Sequence, residues 1–386
     1  MRTSTSWLPS WAASVALVAG AATVAPAPGR AETDPVPPSR NYYAYVCAES
    51  EDEVSLIRFG PSGIEVTKTI TVGSFPAEIE GPHGINISAG GRHWYVSIAH
   101  GNPFGSIHKY ETGTDEWLGD VKVGMFPATL DIAATTGLLF VVNSDFYGDH
   151  VPSTISVVET SSMTEIAQFA SGTMPHGARL SRDGRKLYSV NMMDDELVEV
   201  DALRFEVGRR LKLGAKTGLS AAHGDHGDHQ TAASHGGAHA GAAVEPSWVT
   251  PPTADGLLYI TALSGNAIYE VDTGEWKVTR RFDTPAGPYN AAVGPDERLL
   301  VVTYKKSDSI GFWNLETGSE VARLDTTRRI PHGVAITSDG RFSLVTVEGI
   351  GGEPGVVEVY DNGALRRVAQ IDIGKQAGGI ALWEAN

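Results

Sequence analysis

The stretch Pro175-His176-Gly177-Ala178-Arg179-Leu180-Ser181-Arg182-Asp183-Gly184-Arg185-Lys186-Leu187-Tyr188-Ser189-Val190-Asn191 decides how the chain folds. A short run, Ala178 to Leu180, stops at Asp183-Gly184, a dipeptide whose ease at positive φ makes it a strong hairpin turn. Lys186 to Asn191 follows with the period-2 alternation of a half-buried strand. Glu196 to Val200 and Val207 to Leu213 alternate in the same way. One unit therefore reads as four short antiparallel strands.

The unit recurs. Pro82, Pro127, Pro175, Pro246, Pro288 and Pro331 open six copies spaced 45, 48, 71, 42 and 43 residues apart. Thirteen residues after each Pro stands an apolar or aromatic residue: Tyr95, Phe140, Tyr188, Tyr259, Val301 and Leu344. Gly91, Gly137, Gly184, Gly256 and Gly340 mark the intervening turn in five of the six. A repeat of about 40–45 residues with four strands is the pattern of a propeller blade; the Gly-His and Trp-Asp marks of WD40 blades are missing. Residues 40–72 supply a Tyr45-centred strand set that lacks the opening strand. Gln376 to Leu382 aligns on Ile330 to Ile336 and supplies it. The expectation is an all-β, seven-bladed β-propeller of four-stranded blades. The C-terminal strand closes the first blade and so leaves no exposed sheet edge.

The second strands, Tyr95-Val96-Ser97, Phe140-Val141-Val142-Asn143, Tyr188-Ser189-Val190-Asn191, Tyr259-Ile260-Thr261 and Leu344-Val345-Thr346, carry a further signal. With the Pro-x-Gly start and the Asp-Gly turn, they resemble the YVTN-repeat (YncE-like) propellers over about residues 40–386. That resemblance implies a periplasmic or secreted protein. One relative binds DNA, but here acid outweighs base and no basic stripe exists.

Composition narrows the field. The 386 residues carry 30 Lys+Arg against 46 Asp+Glu, a formal net charge of −16, which disfavours phosphate-backbone binding. A single Cys excludes a disulfide framework, a Cys-rich zinc module, an iron–sulfur centre and a covalent c-type haem. That residue, Cys47, lies in the apolar run Tyr43 to Cys47 and reads as a buried small hydrophobe. Residues 1–31 read as a secretory signal peptide: Arg2, the apolar stretch Trp11 to Val24, then small-x-small sites at Ala25-Pro26-Ala27 and Gly29-Arg30-Ala31. Residues 32–40, with Pro35, Pro37 and Pro38, read as a Pro-rich linker, and 41–386 as the propeller. No later apolar run is long enough to span a membrane.

In a propeller the inner strands line a central channel, and the loops leading into them open on one face. Pro-x-Gly places His83, His176 and His332 there; the equivalent positions elsewhere hold Ala128, Ser247, Tyr289 and Gly378. Loops after the second strands bring Glu49, His100, Asn143, Asn191, Tyr304 and Glu348 to the same funnel. His83, His100, His176 and His332 are candidate ligands for copper, zinc or iron, since neutral imidazole suits these metals and Glu adds oxygen support. Two other readings stand beside this: a repeat-consensus His bonded to backbone, and a metal-free acid–base His as in propeller lyases with a similar Pro-His-Gly element. The copper-dependent sulfur oxidases of the selenium-binding-protein family offer a loose analogy.

The 71-residue spacing contains an insertion at residues 215–244. Five of the twelve His, His223, His226, His229, His235 and His239, fall within 17 residues there. The His-x-x-His-x-x-His spacing, with Asp225 and Asp228, suits a divalent metal; the plain alternative is a low-complexity surface loop. Weaker candidates are Asp145, Asp149 and His150 in a longer loop. His93 and His108 read as structural, Asp194-Asp195-Glu196 as a solvated acidic turn, and Lys305-Lys306 as a solvated loop, with contact to an anionic ligand as the alternative. No nucleophile elbow, zinc-protease helix, phosphate loop or calcium loop is present.

These signs point to a secreted or periplasmic binding protein, expected as a monomer, that takes a metal through His and offers its face to a protein or small-molecule ligand. A metal-dependent, copper-like oxidoreductase or lyase is the first alternative and a metal-free scaffold the second.

Overall fold

The computed structural model describes residues 37–75, 77–148, 150–214 and 243–383. Among these residues the strands form seven four-stranded antiparallel sheets. Tyr42–Ala48, Glu53–Gly60 and Gly63–Thr71 belong to the first blade, and Ala377–Trp383 is its inner strand, paired antiparallel to Tyr42–Ala48. The other inner strands are Pro82–Ile87, Pro127–Ile132, Pro175–Leu180, Pro246–Val249, Pro288–Val293 and Pro331–Ile336. Each packs on the next, and Ala377–Trp383 touches both Pro331–Ile336 and Pro82–Ile87, so the ring closes as the repeat required. Hydrophobic clusters lie between adjacent sheets; one joins Tyr45, Trp94, Val96 and Tyr110, another joins Tyr42, Phe59, Phe342 and Leu344.

The repeat residues explain this geometry. Gly177 has no room for a side chain: a Cβ would stand 2.6 Å from Trp248 Cα and 2.7 Å from Ser247 O. Gly379 is tighter still, at 2.3 Å from His83 O. The Gly of Pro-x-Gly thus lets neighbouring inner strands touch backbone to backbone. Hydroxyls of the second strands lock that contact. Thr303 Oγ1 donates to His332 O (2.8 Å) and accepts from Asn290 N (3.1 Å); Thr346 Oγ1 donates to Gly378 O (2.6 Å) and accepts from Gly333 N (2.8 Å). The Thr of the repeat is therefore a bolt between blades, and it fixes the backbone from which the channel side chains project.

A second recurrent device was not legible. The residue before each inner strand is left-handed, even where it is Phe126 (φ 47), Met174 (φ 52), Glu245 (φ 52), Ile330 (φ 68) or Gln376 (φ 57). Such a conformation is unfavourable for bulky residues and needs outside support. An acidic side chain supplies it in several blades: Asp195 Oδ1 accepts from Val244 N (2.9 Å) and Glu245 N (2.8 Å), and Asp308 Oδ1 from Ile330 N (3.0 Å). This corrects the solvated reading of Asp194-Asp195-Glu196. Asp194 Oδ2 takes Thr173 N (2.6 Å), Asp195 caps the next inner strand, and Glu196 is buried against Arg210 (2.7 Å).

Cys47 is 0% exposed, and burial, with the nearby Glu49 charge adding to it, pushes its thiol well above the ordinary range. Since the thiolate is the reactive form, native protein should not react with a thiol-specific disulfide reagent over hours, yet should titrate fully in guanidinium. Native reaction at a free-thiol rate would refute the burial.

Candidate functional site

The residue after each inner-strand Pro faces the axis, and the structure brings four of these side chains together. Ring centres of His83 and His332 are 5.5 Å apart, those of His83 and His176 6.2 Å. Tyr289 fills the remaining side, 4.8 Å from His332 and 5.6 Å from His176. All four are buried. A second tier comes from the residue just past each second strand: Glu49, Ala99, Ser144, Met192, Leu263, Lys305 and Glu348.

Each of the three imidazoles turns Nδ1 toward an acceptor. His83 Nδ1 donates to Glu49 Oε2 (3.1 Å) and His176 Nδ1 to Ser247 O (2.8 Å). His332 Nδ1 lies 2.9 Å from Glu348 Oε1, although off the line of a well-aligned hydrogen bond. Fixing Nδ1 as the protonated nitrogen leaves Nε2 as the lone-pair nitrogen where the ring is neutral, as burial keeps His176 and His332. For His176 that lone pair is met by the Tyr289 hydroxyl at 3.1 Å.

Charge is balanced tightly here. Glu348 lies 2.8 Å from Lys305 Nζ, which also sits 4.1 Å over the Tyr289 ring. Burial pushes Glu348 up, but Lys305 and His332 outweigh it and hold the carboxyl at about 2. The reverse holds for Lys305: burial lowers it, and the Glu348 charge wins and raises it. Glu49 is treated likewise, its burial overcome by the pull of His83 and the bonds from His100 and His83, so it stays anionic far below the usual range. His176 and His332 go the other way: burial, then the neighbouring cations, lower them to about 3 and about 4. Two carboxylates, one ammonium and two neutral imidazoles thus meet at one mouth.

The opposite half of the mouth is apolar. Met174, Met192, Leu263 and Tyr289 form one cluster, and Ala99, Phe126 and Ala128 another, with Phe146 against both. His100 belongs to this side. Its Nε2 contacts Glu49 Oε1 at 2.8 Å, and its ring stacks on Phe126 at 5.9 Å. Burial opposes but the Glu49 bond raises its pKa above the ordinary imidazole value.

Of the expected funnel residues, His83, His176, His332, Glu49 and Glu348 meet, and His100 supports Glu49. Asn143, Asn191 and Tyr304 do not arrive. Asn143 bonds Thr154 and Ser156, Asn191 bonds Ser171, and Tyr304 Oη accepts from Trp313 Nε1 at 2.7 Å inside its blade. They end their strands, whereas the funnel takes the next residue; one step in a strand changes the face. That one-residue step is also why Lys305, read as solvated, lies in the site. Asp145 has positive φ in its loop beside Phe146; Asp149 lies outside the described residues. His223, His226, His229, His235 and His239 also lie outside them. His93 opens a second strand and His108 is buried in a third, both away from the mouth.

A metal test can be made on the rings themselves. Three imidazoles sharing a tetrahedral ion at about 2.0–2.1 Å from nitrogen have centres roughly 5–5.5 Å apart. His83 and His332 meet this; His176, held by Tyr289, stands slightly outside it. Among the described residues no group of three or more His, Cys, Asp or Glu is placed to hold a metal ion as the side chains stand.

No protein-family model and no curated protein matches the chain. Solved structures do. Hydrazine synthase of Kuenenia stuttgartiensis is similar with TM-score 0.61 at 17% identity, over 80% of this chain and 93% of that one. A Bacteroides fragilis protein provisionally described as a 6-phosphogluconolactonase is similar with TM-score 0.66 at 13% identity, over 89% and 98%. At these identities the likeness is one of fold. Among the described residues no helix is long and apolar enough to cross a membrane.

Proposed function

We propose that this chain is a secreted or periplasmic YVTN-type propeller that binds its ligand at the channel mouth, with a divalent transition metal, copper or zinc, held through Nε2 of His83, His176 and His332. One observation carries the reading. All three rings turn Nδ1 to a carboxylate or carbonyl, the outer-shell arrangement that orients an imidazole for ligation through its other nitrogen. Closing the set requires Tyr289 to release His176, after which its hydroxyl stands beside the same point. His100 is assigned to holding Glu49. The metal would polarise a bound oxygen or nitrogen ligand; the protein's own groups set the ligand's orientation, with cation and carboxylates on one side and Met and Phe side chains on the other.

Metal analysis of tag-free protein tests this. The comparison is wild type, a deletion of residues 215–242, and a His83/His176/His332 triple Ala variant. The deletion stops there because Asp195 holds the amides of Ala243 and Val244. Near-stoichiometric metal that survives the deletion and vanishes in the triple variant is the expected result. Metal lost only with the insertion would assign binding to the His-rich segment and leave the mouth without it. Metal in none of the three would leave a metal-free scaffold.

A further inference from the structure

Just inside the three histidines the channel holds a cavity of about 50 Å³, lined by His83, His176 and His332 and also by Arg179, Trp248 and Asn290. No role at the mouth uses Arg179, Trp248 or Asn290. Arg179 reaches the cavity from the Pro175–Leu180 strand, and its guanidinium carbon lies 4.3 Å over the Trp248 ring of the neighbouring inner strand. Gly177 makes this stacking possible by letting the two backbones touch.

Two groups there are uncommitted. Among the described residues Arg179 donates once, to Ala178 O at 2.6 Å, which leaves most of its five N–H donors for a ligand. Among the described residues no carboxylate lies within ion-pair distance of it. The nearby acid, Asp131, is engaged elsewhere: Oδ1 accepts from Asn86 Nδ2 (3.0 Å) and Ile132 N (3.0 Å), and Oδ2 from Leu180 N (2.8 Å). Asn290 is 5% exposed, yet among the described residues its Oδ1 has no hydrogen-bond partner and its amide nitrogen makes no hydrogen bond. A buried carboxamide with neither end bonded is rare, because desolvation without a partner is costly. It can turn either end to a ligand.

We propose that this cavity binds a small planar oxyanion, gripped by the Arg179 guanidinium and the Asn290 carboxamide beneath the histidines. A guanidinium stacked on an aromatic ring is held as a rigid fork, and its paired N–H groups match two oxygens of one planar anion. At roughly 10–15 Å³ for each water-sized probe, the cavity takes about three to five water-sized atoms, a size that suits nitrate, nitrite, formate or bicarbonate. The inference deepens the reading of the mouth as the working site by naming the ligand class, but the anion site stands without the metal.

The test is calorimetric titration of chelator-treated protein with sodium nitrate and sodium formate at constant ionic strength, against sodium chloride. Wild type should bind nitrate or formate saturably. Arg179→Gln and Asn290→Leu should each weaken binding about tenfold or more, as expected for loss of a hydrogen bond to a charged ligand. Arg179→Lys, which keeps charge and loses the fork, should fall between; circular dichroism and melting confirm folding. Metal absent from every form while Arg179-dependent binding persists would overturn the metal reading alone. No saturable binding by wild type up to about 100 mM would overturn the anion site. So would unchanged affinity in Arg179→Gln, or binding lost only in Lys305→Met, which would move the anion to the mouth.

Discussion

Deleting residues 376–386 should abolish cooperative folding at room temperature. The segment contains the inner strand of the first blade, and its loss leaves Tyr42–Ala48 without five pairings, from Tyr43 with Trp383 to Ala48 with Ala377. It also removes Gln376 O as acceptor for Glu49 N, Gln376 Nε2 as donor to Glu49, and Gly378 O as acceptor for Thr346. Ile380, Leu382 and Trp383, partly buried against two hydrophobic clusters, are lost as well. Backbone bonds at about 0.5–1.5 kcal/mol each and roughly half-buried apolar side chains together come to on the order of 5–10 kcal/mol. A typical domain has about 5–15 kcal/mol in all. The expected observation is an aggregating or broadly melting protein where the full chain melts sharply. Gly379→Val should act in the same direction, because its Cβ would meet His83 O at 2.3 Å. A truncated chain that melts within a few degrees of the full one would show that the ring does not depend on this closure.

That closure was legible because propeller blades repeat, so the sequence could be compared with itself. Gln376 to Leu382 matches Ile330 to Ile336 in sequence alone, and the strand Lys186–Asn191 has the bounds expected for it. The three Pro-His-Gly histidines converge for the same reason: equivalent positions of a ring face one axis. What failed was the part that repetition does not encode. Asn143, Asn191 and Tyr304 miss the funnel by one residue, since strand ends differ by a step that reverses the face. Lys305 looked solvated because its partner Glu348 is 43 positions away in another blade. Arg179 and Asn290 are not legible from the repeat because each occurs in one unit only, and self-comparison carries only what recurs. Function favours such departures from the repeat, so the most informative positions are the least legible in this way.

Lys305→Met should be among the most damaging single substitutions in the chain. Lys305 Nζ is the ammonium 2.8 Å from Glu348, whose side chain is only 12% exposed. Without it the carboxylate faces the nearly neutral His332 and the Tyr289 ring, and breaking a buried pair from one side costs about 3–5 kcal/mol. Glu348→Gln should cost less, because Lys305 keeps the Tyr289 face and has more access to water. The double variant should recover about 2 kcal/mol relative to the sum of the single ones, the coupling expected of groups in direct contact. The pH dependence gives the sign independently. In the wild type Glu348 is held at about 2, below its unfolded value, so its contribution is present above that unfolded value and is lost as pH falls through about 2. In Lys305→Met, burial without a cation moves the carboxyl above its unfolded value. The deficit of the variant should then be largest at neutral pH and shrink on acidification as Glu348 takes up a proton. Urea unfolding at several pH values reads both effects. Additive costs in the double variant, or a deficit that does not change with pH, would mean that the ammonium and the carboxylate are each satisfied by water, and the charge-balanced mouth would have to be abandoned.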